Sequence, residues 1–291
     1  MRGFDTSRQS AFLPPSECFK KHQEEGTRFV HASWYHKGNR SGRIEFEEGR
    51  RIPNSVYFDL DDVCDDSQRL SHMQPTRELF ACAMDQLEIR NDDNVILYGR
   101  AGSFFLPRVW FTFRLMGHEN IHIMQGSLED WTSRGGLVDK QPTSVFSVKD
   151  LDLSKSPNYK VSYNNSNPKV IGLERMEDII RKGSHQILDA RGSSFSQHGS
   201  MPGAINIPYS TLHNGNTFKQ TDELRELLLR DNDMDDVERD VVLTCGSGVS
   251  ACGLYLALLE TNMLETRNAV VYDGSWEEWG SLDHTPKQHH Q

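Results

Sequence analysis

The chain repeats itself once, and this repeat restricts it to folds that can be built twice in tandem. NVILYGRAGSFFLPRVWFTF in the first half and VVLTCGSGVSACGLYLALLE in the second share one grammar of short apolar strand, glycine turn and helix, which sets Gly99 against Cys245, 146 positions apart. Downstream, GSLEDW from Gly126 matches GSWEEW from Gly274 at 148. Upstream, IPNSVYF matches MPGAINI with Pro53 against Pro202, at 149. FVHAS, from Phe29, matches ILDAR, from Ile187, at 158, so the second copy is shorter by about nine residues between that strand and its proline turn. A period this long implies two complete domains rather than a solenoid.

Within each copy, short strands such as RFVHAS, SVYFDL, NVILYG and IHIMQG alternate with helix-like stretches. That alternation predicts an α/β fold, two tandem domains each with a mainly parallel sheet flanked by helices. The first domain is expected over residues 10–139 and the second over 169–285, with a linker rich in Ser, Asn, Pro and Lys over 140–168. The tail DHTPKQHHQ has three histidines at no metal-binding spacing and reads as a solvated, frayed terminus.

Composition narrows the function by exclusion. A net charge of -10 leaves no basic patch for phosphates, which argues against nucleic-acid and membrane-surface partners. Cys18, Cys64, Cys82, Cys245 and Cys252 form no CxxC pair, so reduced thiols and no metal site are expected. No apolar run approaches the roughly 18 residues of a membrane span, and the opening segment lacks the apolar core of a secretory signal. These features predict a cytoplasmic protein, with a mitochondrial leader carrying Arg2 and Arg8 as the alternative.

Cys245 stands at the end of the strand Val241 to Thr244 and at the start of a turn carrying Gly246 and Gly248, ahead of a helix predicted over Ser250 to Glu260. Glycines there let successive backbone N–H groups turn inward, and a helix N-terminus adds positive potential, so the place favours an anion on or beside the sulfur. A lone cysteine is usually a small core hydrophobe, which is how Cys252 reads. The repeat argues otherwise for Cys245, because Gly99, Arg100 and Ala101 replace Cys245, Gly246 and Ser247 in the first copy: the fold signals recur there and the sulfur does not. A cysteine phosphatase needs an arginine six residues on, where Ala251 stands. The GxGxxA run from Gly246 to Ala251 fits a dinucleotide fingerprint but begins too near the C-terminus for the remaining strands of such a fold, and the first copy does not repeat it.

The loop CGSGVSAC resembles the active-site loop of the mercaptopyruvate sulfurtransferases, the two-domain branch of the rhodanese family. VHASWY, EFEEGRRIPNSVYFDLDD, LPRVWFTFRLMGH, MPGAINIPY and YDGSWEEW also resemble family segments, in the family's order, over about residues 13 to 282. The resemblance implies an inactive first domain, a catalytic second domain and transfer of sulfane sulfur from 3-mercaptopyruvate or thiosulfate to a thiol or cyanide through a Cys245 persulfide, with no cofactor. The acceptor is then a small thiol or a thioredoxin-like protein. It also implies that Gly246, Gly248, Val249 and Ser250 cradle the persulfide, and that Ser247, His72 and Asp61 form a proton relay, with Asp59 and Asp62 as neighbours of the chosen aspartate. The contrasting expectation is a rhodanese-like protein that accepts persulfide or a partner with little turnover.

Two departures bear on the donor. Thiosulfate-preferring members carry basic residues just after the cysteine, where this chain has Gly246 and Ser247. Members also grip a substrate carboxylate with two arginines before the second Pro-Gly turn. Here Ser194 stands at the first position and the loop bearing the second is missing, which leaves Arg191 and Arg100 as candidate anion contacts.

Overall fold

The computed structural model describes residues 10–36, 38–67, 69–103, 105–164, 167–231 and 239–290. The first half comprises β1 (Phe12–Leu13), α1 (Pro15–Lys21), β2 (Thr27–His31), α2 (Gly42–Glu48), β3 (Val56–Tyr57), α3 (Arg77–Gln86), β4 (Asn94–Tyr98), α4 (Leu106–Leu115), β5 (Ile121–Met124) and α5 (Leu128–Ser133). The second comprises β6 (Lys169–Ile171), α6 (Leu173–Lys182), β7 (Gln186–Asp189), α7 (Ser194–His198), β8 (Ala204–Asn206), a hairpin of β9 (His213–Asn214) and β10 (Thr217–Phe218), α8 (Thr221–Glu226), β11 (Val241–Thr244), α9 (Ala251–Glu260), β12 (Ala269–Tyr272) and α10 (Ser275–Ser281).

Both halves build the same five-stranded, wholly parallel sheet, ordered β1-β5-β4-β2-β3 and β6-β12-β11-β7-β8. The registers repeat as well: His31 pairs with Tyr98 in the first sheet as Asp189 pairs with Thr244 in the second. Even the closing bridges correspond, Arg51 with Asp139 and Ser200 with Gln288. Helix–strand alternation places helices on both faces of each sheet, so β4, β5, β7 and β11 are buried almost throughout; β4 and β11 read in sequence as largely apolar runs, while β5 and β7 also bury His122, Gln186 and Asp189.

The halves meet through their central helices. α9, ACGLYLALLE, is buried all round, as is most of α4, because each packs on its own sheet and on the other domain. The Phe111 ring meets Tyr255 edge-on at 5.1 Å, and Phe105 stacks on Tyr209 at 5.3 Å. One continuous apolar cluster therefore runs from Val30 and Phe111 to Leu243 and Leu256. An interface of this character fixes the two domains relative to each other. Residues 140–164 lie along the first domain, with one short 3-10 turn at Val148–Asp150 and Tyr159 buried against His118.

The C-terminal tail departs from the sequence expectation of a frayed end. The backbone of Gln288 pairs with Ser200, the His290 ring stacks on Phe195 at 4.5 Å, and Pro286 accepts from the Trp279 indole at 2.9 Å. A polar composition concealed these contacts, since they are made by backbone groups and ring faces.

Candidate active site

β11 ends at Thr244, and the next residue, Cys245, is 2% exposed at the bottom of a cleft of about 490 Å³. Trp34 and Phe105 from the first domain and Arg191, Tyr209, Ser247 and Val249 from the second contribute to its walls, so the cleft lies between the domains. The cysteine backbone is fixed on both sides: its N–H donates to Ser275 Oγ at 3.1 Å and its carbonyl accepts from Trp276 at 3.0 Å. The first domain keeps the second of these braces, Leu128 donating to the carbonyl of Gly99 at 2.8 Å, around a loop without a sulfur.

From Gly246 to Ala251 the chain passes from strand to helix, and among the described residues no protein group accepts the N–H of any residue in that stretch. Orphan N–H groups at the start of α9, together with those of the turn, form a site for negative charge. Gly248 makes the turn with φ +75°, and a Cβ there would lie 2.7 Å from the carbonyl oxygen of Asp273. Gly246, by contrast, has open space where a Cβ would be. Cys252, the second residue of α9, is fully buried; burial pushes its thiol up to about 12.

The segment after β3 brings a second group against Trp34, a cleft-lining residue, although neither Asp61 nor His72 lines the cleft itself. His72 Nε2 stands 3.0 Å from Asp61 Oδ1, which also accepts from the Trp34 indole at 2.7 Å. Burial pushes the Asp61 carboxyl up, but these hydrogen bonds outweigh it and hold the group below its ordinary value. Arg43 occupies Asp59 and Asp62 at 2.8 and 3.1 Å, which leaves Asp61 for the histidine. The other ring nitrogen of His72, Nδ1, is buried and unpartnered, and the residue adopts φ +58°. The Trp34 ring meets His72 edge-on at 5.0 Å and itself lines the cleft beside Ser247. Among the described residues no hydrogen bond joins Ser247 to His72.

Comparison with known proteins accords with this architecture. Rat thiosulfate sulfurtransferase is 30% identical over 259 residues, covering 87% of this chain and 84% of the relative. The 3-mercaptopyruvate sulfurtransferase of Escherichia coli is 29% identical over 249 residues, covering 81% and 82%. A crystal structure of the E. coli 3-mercaptopyruvate enzyme SseA superposes with a TM-score of 0.77 at 25% identity, covering 92% of this chain and 99% of that one. The sequence profile of the rhodanese-like domain matches twice, at residues 40–134 and 173–282. The chain belongs to the rhodanese-like family, as a tandem sulfurtransferase.

In this rhodanese the two candidate anion contacts are otherwise engaged. Arg191 touches the cleft, but its guanidinium forks onto Asp189 at 2.7 and 2.9 Å, donates to the carbonyl of Gly199 at 2.9 Å and lies over the Trp276 ring. Arg100 is not among the cleft-lining residues at all; it borders a separate pocket and pairs with Glu129 at 2.8 Å. Its distance from the cleft follows from the duplication, since Arg100 sits in the first domain's own loop, at the C-terminal end of the first sheet.

Trp34, Ser275 and Asp273 also serve the site, although no motif or spacing in the sequence marks them for it. Trp34 in VHASWY and the serine of GSWEEW were visible as parts of matched segments, but nothing in their spacing disclosed that one orients Asp61 and the other receives the Cys245 N–H. Asp273 and Arg108 form a buried ion pair across the domains at 3.0 Å, a contact between positions 165 residues apart.

Proposed function

We propose that this enzyme moves sulfane sulfur from a small anionic donor, 3-mercaptopyruvate or thiosulfate, to a thiol or cyanide through a persulfide on Cys245. The observation that carries this reading is the run of unclaimed N–H groups from Gly246 to Ala251 around a cysteine at the bottom of an interdomain cleft. The Cys245 thiolate attacks the outer sulfur of thiosulfate or the single sulfur of 3-mercaptopyruvate. A sulfur–sulfur bond forms, the donor's bond to that sulfur breaks, and its electron pair leaves with sulfite or with the enolate of pyruvate. The persulfide anion that remains is the charge the loop amides are placed to hold. An acceptor thiolate or cyanide then attacks the outer sulfur and regenerates the Cys245 thiolate.

Sulfite needs no proton to depart, whereas the enolate must be protonated at carbon. We assign that step to Ser247, with His72 behind it. Asp61 holds Nε2–H, so Nδ1 is the nitrogen that exchanges a proton with the serine, and the left-handed backbone of His72 is strain of the kind found at working sites. With Arg191 held by Asp189, the donor anion relies on the loop amides rather than on an arginine clamp. All five cysteines are free, in keeping with action in a reducing compartment, for which the cytoplasm is the proposed location.

The test is steady-state turnover with each donor in turn, using cyanide and a dithiol as acceptors. Ping-pong kinetics with at least one donor are expected. No turnover with either, in a protein that melts cooperatively, leaves the persulfide-accepting, low-turnover reading in its place.

A further inference from the structure

Arg108 lies in α4 of the first domain, is 1% exposed, and reaches three groups at the active site. Nη1 donates to Asp273 Oδ1 at 3.0 Å and to the carbonyl of Gly248 at 3.3 Å, while Nη2 donates to the carbonyl of His72. Asp273 Oδ2 in turn accepts from the backbone of Gln74 at 2.8 Å, closing a ring through the segment that carries His72. We infer that Arg108 is a positioning residue for sulfur loading: one guanidinium orients both the persulfide loop and the histidine of the relay. The inference rests on the sulfurtransferase reading above.

In a planar trans peptide the C=O and N–H point in opposite directions. Drawing the Gly248 carbonyl toward Arg108 therefore turns the Val249 N–H the other way, and Val249 borders the cleft. Cys252 Sγ, donating to the same carbonyl at 3.5 Å, reinforces that orientation from within α9. At His72 the guanidinium holds the carbonyl of a non-glycine residue at φ +58°, a conformation that needs an external hold. Asp273 supplies the countercharge that lets a guanidinium sit at this depth. A bland alternative is that Arg108 and Asp273 are only an interdomain ion pair. Lysine separates the two, because an ammonium can keep the charge pair but lacks the rigid fork that serves three acceptors together.

The test is single-turnover loading of Cys245, followed by intact mass, in wild-type protein and Arg108→Lys with whichever donor loads the wild type. If Arg108 positions the loop, the loading rate at saturating donor falls by roughly tenfold or more. The fraction of protein that finally loads stays near that of the wild type, since the variant is folded. A purely structural role lowers that fraction and leaves the rate of the folded molecules unchanged, which would overturn the inference, as would wild-type behaviour on both counts. Should Arg108→Lys not fold, Arg108→Gln combined with Asp273→Asn removes both buried charges together, and the same rate loss is expected. Failure of the wild type to load sulfur at all counts against the function itself rather than against Arg108.

Discussion

His72 Nε2 and Asp61 Oδ1 lie 3.0 Å apart, joining residues separated by a loop that the sequence alone gives no reason to close. The Asp61 carboxyl is held below its ordinary value, so the sign of its pH dependence is fixed. A depressed folded value contributes stability above the unfolded value, and that contribution disappears as pH falls through the folded one. The loss is expected below about pH 4. Because the Asp61 side chain is 61% exposed, the effect is only a few tenths of a kcal/mol. Denaturant midpoints of wild type and Asp61→Asn should differ by a constant amount from neutrality to about pH 5 and converge below pH 4. A difference that persists unchanged to pH 3 would show that the pair has another basis.

The two glycines flanking Ser247 should behave differently. Gly248→Ala places a methyl group 2.7 Å from the Asp273 carbonyl oxygen in a left-handed backbone, whereas Gly246→Ala meets nothing. We expect the first to cost roughly 1–3 kcal/mol and to slow sulfur loading, and the second to leave stability within about 0.5 kcal/mol. Urea denaturation of both variants checks this; equal destabilisation contradicts the loop geometry.

Arg191 tests the electrostatic account of the cleft. Replacing it with Met strands the Asp189 carboxylate, which is buried and already pushed up by that burial despite its partner. The expected result is a loss of about 3–5 kcal/mol of stability. If the arginine is a donor contact instead, Arg191→Met will show near-normal stability and a sharply raised KM.

The tail offers a fourth test. Deleting residues 284–291 removes the Gln288 bridge, the His290 stack and the Trp279 hydrogen bond, and should lower stability by roughly 1–3 kcal/mol. An unchanged thermal midpoint would mean that these contacts contribute nothing.

The fold was largely legible in the sequence because it obeys local rules twice over. Strands such as NVILY and VVLT are buried on both faces and therefore largely apolar, and the glycine turns between strand and helix recur at nearly fixed offsets. The placement of Cys245 directly after a strand was legible for the same reason, as the sulfur missing from Gly99. What escaped was long-range hydrogen bonding. Trp34 to Asp61, Arg108 to Gly248 and Ser275 to Cys245 join distant positions through single polar atoms that impose no periodicity. Arg100 was misleading for a related reason. Its place beside the glycine turn copies that of Gly246, yet the duplication puts the two loops on different sheets, and Glu129 neutralises the first.

The central claim is that Cys245 carries the sulfur. It is tested by incubating the protein with thiosulfate or 3-mercaptopyruvate in the absence of acceptor, then measuring intact mass and mapping the modified peptide. A gain of about 32 daltons, the mass of one sulfur atom, is expected on Cys245, absent from Cys245→Ser and removed by cyanide. No adduct with either donor, or an adduct confined to Cys64 or another cysteine, would contradict it.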